Sequence, residues 1–135
     1  MTGFALHPRL AADTVFVADW ALSRVLLMND TRYPWLVLVP QRPHLVELHD
    51  LNAADRATLI EEISLASRTL KTITGAAKIN VGALGNLVAQ LHVHVVARKP
   101  GDHAWPKPVW GRGSPNPYAP AAREAFLNEL ARSLP

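Results

Sequence analysis

The first forty residues contain short apolar and β-branched runs separated by turn formers. Residues 14–18 and 23–28 predict two neighbouring strands, and the second ends at the turn-forming pair Asn29 and Asp30. Residues 35–39, Trp-Leu-Val-Leu-Val, form an apolar run between two prolines, which predicts a strand buried on both faces. Three strands are therefore predicted in this part of the chain.

The period of the apolar residues changes over residues 52–74. Asn52 is suited to cap the first helical turn, Asp55 places a carboxylate near the positive end of the helix dipole, and Gly75 supplies a left-handed stop. We predict one amphipathic helix between these signals. Its apolar residues recur at three- and four-residue spacing and are Leu59, Ile60, Ile63, Ala66, Leu70 and Ile73.

Two more strands and a second helix are predicted after this helix. Residues 78–82 and 91–97 have strand patterns and are joined through the glycine-containing turn 83–86. Residues 120–134 predict a short terminal helix with its apolar side chains on one side. This order of elements favours an α+β fold in which the long helix covers one side of an antiparallel sheet. We expect residues 1–135 to form a single domain.

Residues 99–120 interrupt this regular pattern. They contain six of the eleven prolines and three of the seven glycines, so we predict an irregular segment. Trp105, Trp110 and Tyr118 give the segment large apolar groups that resist exposure to solvent. We expect it to pack onto the domain or onto a partner subunit, and Trp110 has the alternative of stacking on a base.

Composition excludes some kinds of site. The chain has no cysteine, which excludes disulfides and thiolate zinc sites and suits a reducing cytosol. We expect a cytoplasmic protein with no attachment to a membrane, because no apolar stretch is long enough to span one. The formal net charge of +3 is compatible with an anionic ligand, but it is too modest to indicate a nucleic-acid partner.

The candidate chemistry lies in the strand around residue 92. Because side chains alternate between the two faces of a strand, Gln90, His92 and His94 are predicted to form a row on one face. Three interpretations of this row are open. It is the solvated face of an edge strand, or part of a metal site, or the site of a nucleophilic imidazole. The metal site needs a third ligand, for which His44, His49, His103 or a remote acid are candidates.

The motif Gln90-Leu91-His92-Val93-His94-Val95-Val96 resembles the His-φ-His-φ-His-φ-φ signature, with φ apolar, of the histidine triad nucleotide hydrolases and transferases. Six of its seven positions fit. Residues 36–40 with Arg42-Pro43 resemble the family's buried strand and its exit, and residues 85–88 resemble its Gly-Gln-Ser/Thr-Val approach to the motif. The similarity, which spans about residues 20–103, is to the bacterial diadenosine tetraphosphate hydrolase type.

The resemblance implies a five-stranded antiparallel sheet and a set of site residues. His92 corresponds to the nucleophile that attacks the α-phosphorus of a nucleotide, and His94 to the residue that stabilises the phosphoryl oxygens. Gln90 stands in the first position of the catalytic triad. The residues that correspond to nucleotide contacts are Asn80, Asn86, Asn29 and Asp30. The implied substrate is a purine nucleotide, either a dinucleoside tetraphosphate or a nucleoside phosphoramidate.

Two departures from the family pattern affect this expectation. Gln90 replaces the first histidine, and it keeps a hydrogen-bond donor and acceptor but cannot titrate. Leu87 stands where many relatives have a hydroxyl that reaches the phosphate. A nucleotide-binding module with little or no turnover is therefore an alternative to an enzyme. The resemblance also implies a homodimer and no cofactor beyond magnesium brought in with the substrate.

Overall fold

A computed structural model of the chain describes residues 3–134. It has the predicted α+β fold, built from five strands and a long and a short helix, with one additional short helix near the start. The elements are α1 (Pro8–Asp13), β1 (Thr14–Asp19), β2 (Ser23–Met28), β3 (Trp35–Pro40), α2 (Ala53–Thr74), β4 (Lys78–Gly82), β5 (Val93–Arg98) and α3 (Pro120–Ser133), with a 3-10 turn at Leu48–Asp50.

The five strands form one antiparallel sheet in the order β1-β2-β3-β5-β4. β1, β2 and β3 follow one another as a meander, and β5 then enters between β3 and β4. All six residues of β5 are buried. The strand that carries His94 is therefore central, and the hypothesis that the polar row is the solvated face of an edge strand is wrong.

The long helix α2 has the signals that the sequence predicts at both ends. The Asn52 side chain accepts a hydrogen bond from the Asp55 N–H at 2.8 Å, and Gly75 ends the helix in the left-handed region at φ 68°. α2 and α3 pack on one face of the sheet. Their shared core with the strands includes Leu70 from α2 and Leu130 from α3.

The opposite face of the sheet is covered by segments without long helices. Leu10 of α1 and Val109 of the irregular segment join Trp35, Val37 and Val96 in a second core cluster, which we call the site-side core. Residues 99–119 contain turns but no helix or strand. The sheet therefore lies between a helical layer and a layer made of the N-terminal residues and this segment.

The last strand differs from its prediction at the start. β5 begins at Val93 rather than at residue 91, because the Leu91 N–H donates to the Leu45 carbonyl at 3.0 Å in the loop after β3. The ladder between β3 and β5 has its last pair at Leu38 and Val93. Gln90 and His92 thus precede the strand, and the predicted row of three side chains is not formed by strand geometry.

Candidate active site

His92 stands immediately before β5 and is only 7% exposed. Its Nδ1 lies 2.7 Å from the backbone carbonyl oxygen of Gln90. A carbonyl only accepts hydrogen bonds, so Nδ1 carries the proton in the neutral ring. The lone pair then resides on Nε2, which is the nucleophilic atom of a neutral imidazole in this tautomer.

His94 has the opposite tautomer. Its Nδ1 lies 3.0 Å from the indole Nε1 of Trp35, and an indole N–H only donates. Nδ1 of His94 is therefore the acceptor, and Nε2 carries the proton in the neutral ring. Burial, together with the charge of neighbouring His92, lowers the pKa of His94 to about 4. At neutral pH this side chain is an uncharged hydrogen-bond donor.

The two imidazoles lie side by side, with ring centroids 4.9 Å apart and an interplanar angle of 70°. One ring presents a lone pair and the other a donor. Such a pair is suited to attack an electrophilic centre and to hydrogen-bond the charge that develops on it. The structure therefore brings His92 and His94 together, as the sequence predicts, by a bend followed by a strand rather than by one continuous strand.

Two tryptophans enclose His94. Trp35 pairs with Val96 across the β3–β5 ladder and thus projects from the same face as His94, and the ring of Trp110 lies 5.6 Å from that of His94. Gly82 makes room for Trp110, because an added Cβ would lie 2.9 Å from the indole Cη2. These contacts bury most of the His94 ring, and this burial explains the direction of its pKa shift. Sequence reasoning missed Trp35, whose only signal is that a buried indole N–H needs an acceptor.

Both histidines line a cavity of about 490 Å³. Arg9 and Leu10 of α1 form part of its wall, and residues 109–113 form another part. A second cavity of about 300 Å³ is lined by residues 46–49, 83–85 and 89–92. His92 borders both cavities, and His94 borders only the larger one.

Two of the four predicted nucleotide contacts lie at the larger cavity. Asn86 and Asp30 line it together with the histidines. The Asp30 carboxylate is already bound by the Arg32 guanidinium and by the backbone N–H groups of Arg32 and Asn116. These hydrogen bonds lower the pKa of Asp30 against the opposing effect of burial, which is the largest single influence. Leu87 also lines this cavity and is 80% exposed.

The other two predicted contacts are bound to the protein itself. Asn80 accepts a hydrogen bond from Arg98 at 2.9 Å, and Asn29 accepts one from the Tyr118 N–H at 2.9 Å. Nucleotide contacts by the four residues stay predictions. Arg98 itself is buried against Asp102 at 2.7 Å, so its guanidinium anchors the irregular segment.

Gln90 is not part of the pair of imidazoles. Its amide binds the backbone of Ala5 and His7, while its own carbonyl holds His92. The expectation of a three-residue row is corrected here, because the chain bends at residue 90. A direct catalytic role for Gln90 stays a prediction.

The hypothesis of a metal site requires a third ligand beside His92 and His94, and the described part of the chain does not supply one. Between residues 3 and 134, no three His, Asp or Glu side chains come together in a group that could hold a metal ion. The pair of His92 and His94 alone does not provide the four-coordinate set that structural zinc takes.

The HIT domain model matches residues 9–101, which include all of α1 except its first residue, the whole sheet and both imidazoles. The chain belongs to the histidine triad family. Members of this family bind nucleotides and are generally hydrolases or transferases. The family assignment rests on more than two thirds of the chain and agrees with the paired histidines.

Histidine triad proteins of known structure superpose closely on this one. One from Bradyrhizobium japonicum is 49% identical, with 97% of this chain and 98% of that chain covered and a TM-score of 0.95. One from Sinorhizobium meliloti is 46% identical, with 99% of each chain covered and a TM-score of 0.96. One from Marinobacter aquaeolei is 42% identical, with 97% and 96% covered and a TM-score of 0.95.

No curated protein matches the chain. No helix within residues 3–134 has the length and apolar character needed to cross a membrane.

Proposed function

We propose that this histidine triad protein is a nucleotidyl hydrolase that acts at the α-phosphorus of its substrate. The substrate is a nucleoside polyphosphate of the dinucleoside tetraphosphate kind or a nucleoside phosphoramidate. The observation that carries the proposal is the 2.7 Å contact between His92 Nδ1 and the Gln90 carbonyl. It leaves the lone pair on Nε2 and supports the positive charge that the ring gains when Nε2 attacks phosphorus.

The reaction proceeds in two displacements. His92 Nε2 forms a bond to the α-phosphorus while the bond from phosphorus to the leaving group breaks, and the electron pair of that bond departs with the leaving group. Water then attacks the same phosphorus. The bond to Nε2 breaks, its electron pair returns to the imidazole, and a proton from the water passes to solvent. The products are a nucleoside monophosphate and the leaving group.

His94 is proposed to stabilise the phosphoryl oxygens. The Trp35 indole holds the His94 ring in the tautomer with a proton on Nε2, and the low pKa of His94, about 4, keeps the ring neutral. A neutral donor held in place needs no reorganisation when charge develops on the phosphoryl group. The indole–imidazole pair therefore provides a fixed donor beside the nucleophile.

The larger cavity is the proposed nucleotide site. Arg9, Arg32 and Arg112 are among its lining residues, and Arg112 has no ion-pair partner among residues 3–134. An unpaired cation suits the phosphates of a purine nucleotide. Asn86 and Asp30 are the proposed polar contacts within this cavity, and Asn80 and Asn29 the proposed contacts outside it. No cofactor is proposed, and magnesium belongs to the substrate complex.

The second candidate function is a nucleotide-binding module with little turnover. It is favoured by the exposed Leu87 side chain, because that position offers no hydroxyl to the phosphate. Loss of one transition-state donor lowers rates by on the order of 10²–10³ in other enzymes. The two candidates share a binding site and differ in turnover.

A substrate panel separates the two candidates. Dinucleoside tetraphosphates and nucleoside phosphoramidates are incubated with the wild type, with His92→Asn and with His44→Asn, a control at an exposed histidine that lines neither cavity. We expect turnover by the wild type and the control, and a loss on the order of 10³-fold or more in His92→Asn. AMP binding with no turnover of any panel member supports the binding module instead.

We also propose that the protein is a homodimer. β4 is an edge strand, and exposed apolar side chains lie on it and just after it at Val81, Leu84 and Leu87. An exposed apolar strand edge tends to pair with another chain. Light scattering is expected to give twice the mass of the chain for the wild type and a shift toward the monomer for Val81→Lys. A monomeric wild type contradicts the proposal.

A further inference from the structure

Both polar atoms of the Gln90 amide are bound to the N-terminal segment, residues 3–7. Oε1 accepts a hydrogen bond from the His7 N–H at 2.8 Å, and Nε2 donates one to the Ala5 carbonyl at 2.9 Å. Ala5 and His7 are two apart, so the side-chain amide binds one edge of the segment as a neighbouring strand would. The bonds join parts of the chain more than eighty residues apart.

The N-terminal segment leads directly into the wall of the larger cavity. Phe4 and Leu6 pack against the site-side core, and His7 caps α1 by accepting a hydrogen bond from the Arg9 N–H at 3.0 Å. Arg9 and Leu10 then line the cavity. The position of this wall therefore depends on how the segment before it is held.

The same residue holds the nucleophile through its backbone. The Gln90 carbonyl is the partner of His92 Nδ1 at 2.7 Å, and the Leu91 N–H, which follows, is fixed by the Leu45 carbonyl at 3.0 Å. An amide keeps one donor and one acceptor at every pH, whereas a histidine at this position would change both on protonation.

We infer that Gln90 is a positioning residue that fastens the α1 wall of the nucleotide cavity to the backbone that orients His92. The kinetic part of this inference rests on the proposed function. Since the wall contacts the nucleotide in the ground state and in the transition state alike, loosening it weakens both equally. Loss of the amide therefore raises KM and leaves kcat nearly unchanged, because the residue 90 carbonyl remains in place.

The first test is Gln90→Ala. We expect KM for the nucleotide substrate to rise about 5- to 10-fold, while kcat stays within about threefold of the wild type. Amide hydrogen exchange at His7 is measured in the same variant, and we expect it to be at least about tenfold faster, because the N–H loses its acceptor. A thermal melt establishes that the variant is folded.

The second test is Gln90→Glu, whose carboxyl group resembles the amide only when it is protonated. As a carboxylate it has no donor for the Ala5 carbonyl, and as an acid it has one donor and one acceptor. The ratio of the KM of this variant to that of the wild type is expected to fall toward one as the pH is lowered from about 6 to about 4, the range around the ordinary glutamic acid pKa of about 4.3. The ratio at each pH cancels the titration that both proteins share at the nearby His7, Glu47, His49 and His92. A role in packing alone would give no pH-dependent recovery.

Gln41→Glu is the matched control, because the side chain of Gln41 contacts Asp19 and Arg24 and lines neither cavity. Its KM ratio is expected to stay near one throughout. The affinity of each variant for AMP is measured in parallel, because this binding test does not depend on turnover. Unchanged AMP affinity and unchanged His7 exchange in Gln90→Ala overturn the positioning role. A fall in kcat with constant KM also overturns it, by placing Gln90 at the reacting atoms.

Discussion

At the residue scale, two histidines only two positions apart have different chemistry because their Nδ1 atoms have different partners. A backbone carbonyl accepts from His92, whereas an indole donates to His94. One ring therefore presents a lone pair at Nε2 and the other a proton. The family resemblance implies that both rings lie near a phosphate, but the sequence contains no signal for which nitrogen each partner contacts.

The pKa of His94 makes a prediction about stability. Its value in the folded protein is lowered from 6.5 to about 4. Between these two pH values the histidine is protonated in the unfolded chain but not in the folded protein, so lowering the pH favours unfolding. The stability of the protein with neutral His94 is fully kept above pH 6.5 and is progressively lost as the pH falls toward 4. We expect the free energy of unfolding to fall by about 3 kcal/mol over this range from His94.

Urea unfolding at several pH values measures this effect, with His94→Gln as the comparison because glutamine does not titrate. The wild type is expected to lose stability relative to the variant as the pH is lowered. Parallel pH profiles for the two proteins would show that His94 is not the group responsible.

At the element scale, the strands and the two longer helices follow from local patterns. The Asn52 cap and the Gly75 stop define α2, and apolar runs define the strands of the sheet. The site depends on features that have no such pattern. The start of β5 is determined by the Leu45 loop, and the N-terminal wall by the Gln90 amide. Both are contacts between distant parts of the chain, which periodicity does not encode.

Gly82 of β4 gives a prediction at this scale. Because a Cβ there would lie 2.9 Å from the Trp110 ring, Gly82→Ala is expected to displace Trp110 from His94 and to cost about 1–3 kcal/mol of stability. Trp110→Phe shortens the ring system, and a double-mutant cycle with this variant measures how much of the stability loss comes from the contact between residues 82 and 110. Gly82→Ala should lower the free energy of unfolding less in the Trp110→Phe variant than in the wild type. An equal loss in both backgrounds contradicts a clash with Trp110.

At the scale of the whole molecule, the irregular segment is held to the sheet by buried polar contacts. Arg98 at the end of β5 and Asp102 at the start of the segment form an ion pair in which both side chains are nearly inaccessible. Hydrogen bonds from Arg98 lower the pKa of Asp102. Asn29 and Asp30 bind the far end of the segment. The sequence predicts that this segment packs, through its aromatic residues, but not which charges anchor it.

Removal of one partner of the buried pair is expected to be costly. Asp102→Asn leaves the buried positive charge of the Arg98 guanidinium without a negative partner. We expect a loss of about 3–5 kcal/mol in the free energy of unfolding. Asp19→Asn, at the more exposed pair with Arg24, is the control and should cost less than about 1 kcal/mol. Urea unfolding of both variants at neutral pH gives the comparison, and similar losses would contradict an anchoring role for Arg98 and Asp102.

The central claim is that His92 Nε2 attacks the α-phosphorus. Its most direct test is to quench the reaction during turnover of a nucleoside phosphoramidate or dinucleoside tetraphosphate and to locate the nucleotidyl group by peptide mass spectrometry under non-acidic conditions. We predict a nucleotidyl group on His92 in the wild type and none in His92→Asn. A nucleotidyl group on another residue, or turnover that persists in His92→Asn, would contradict the account.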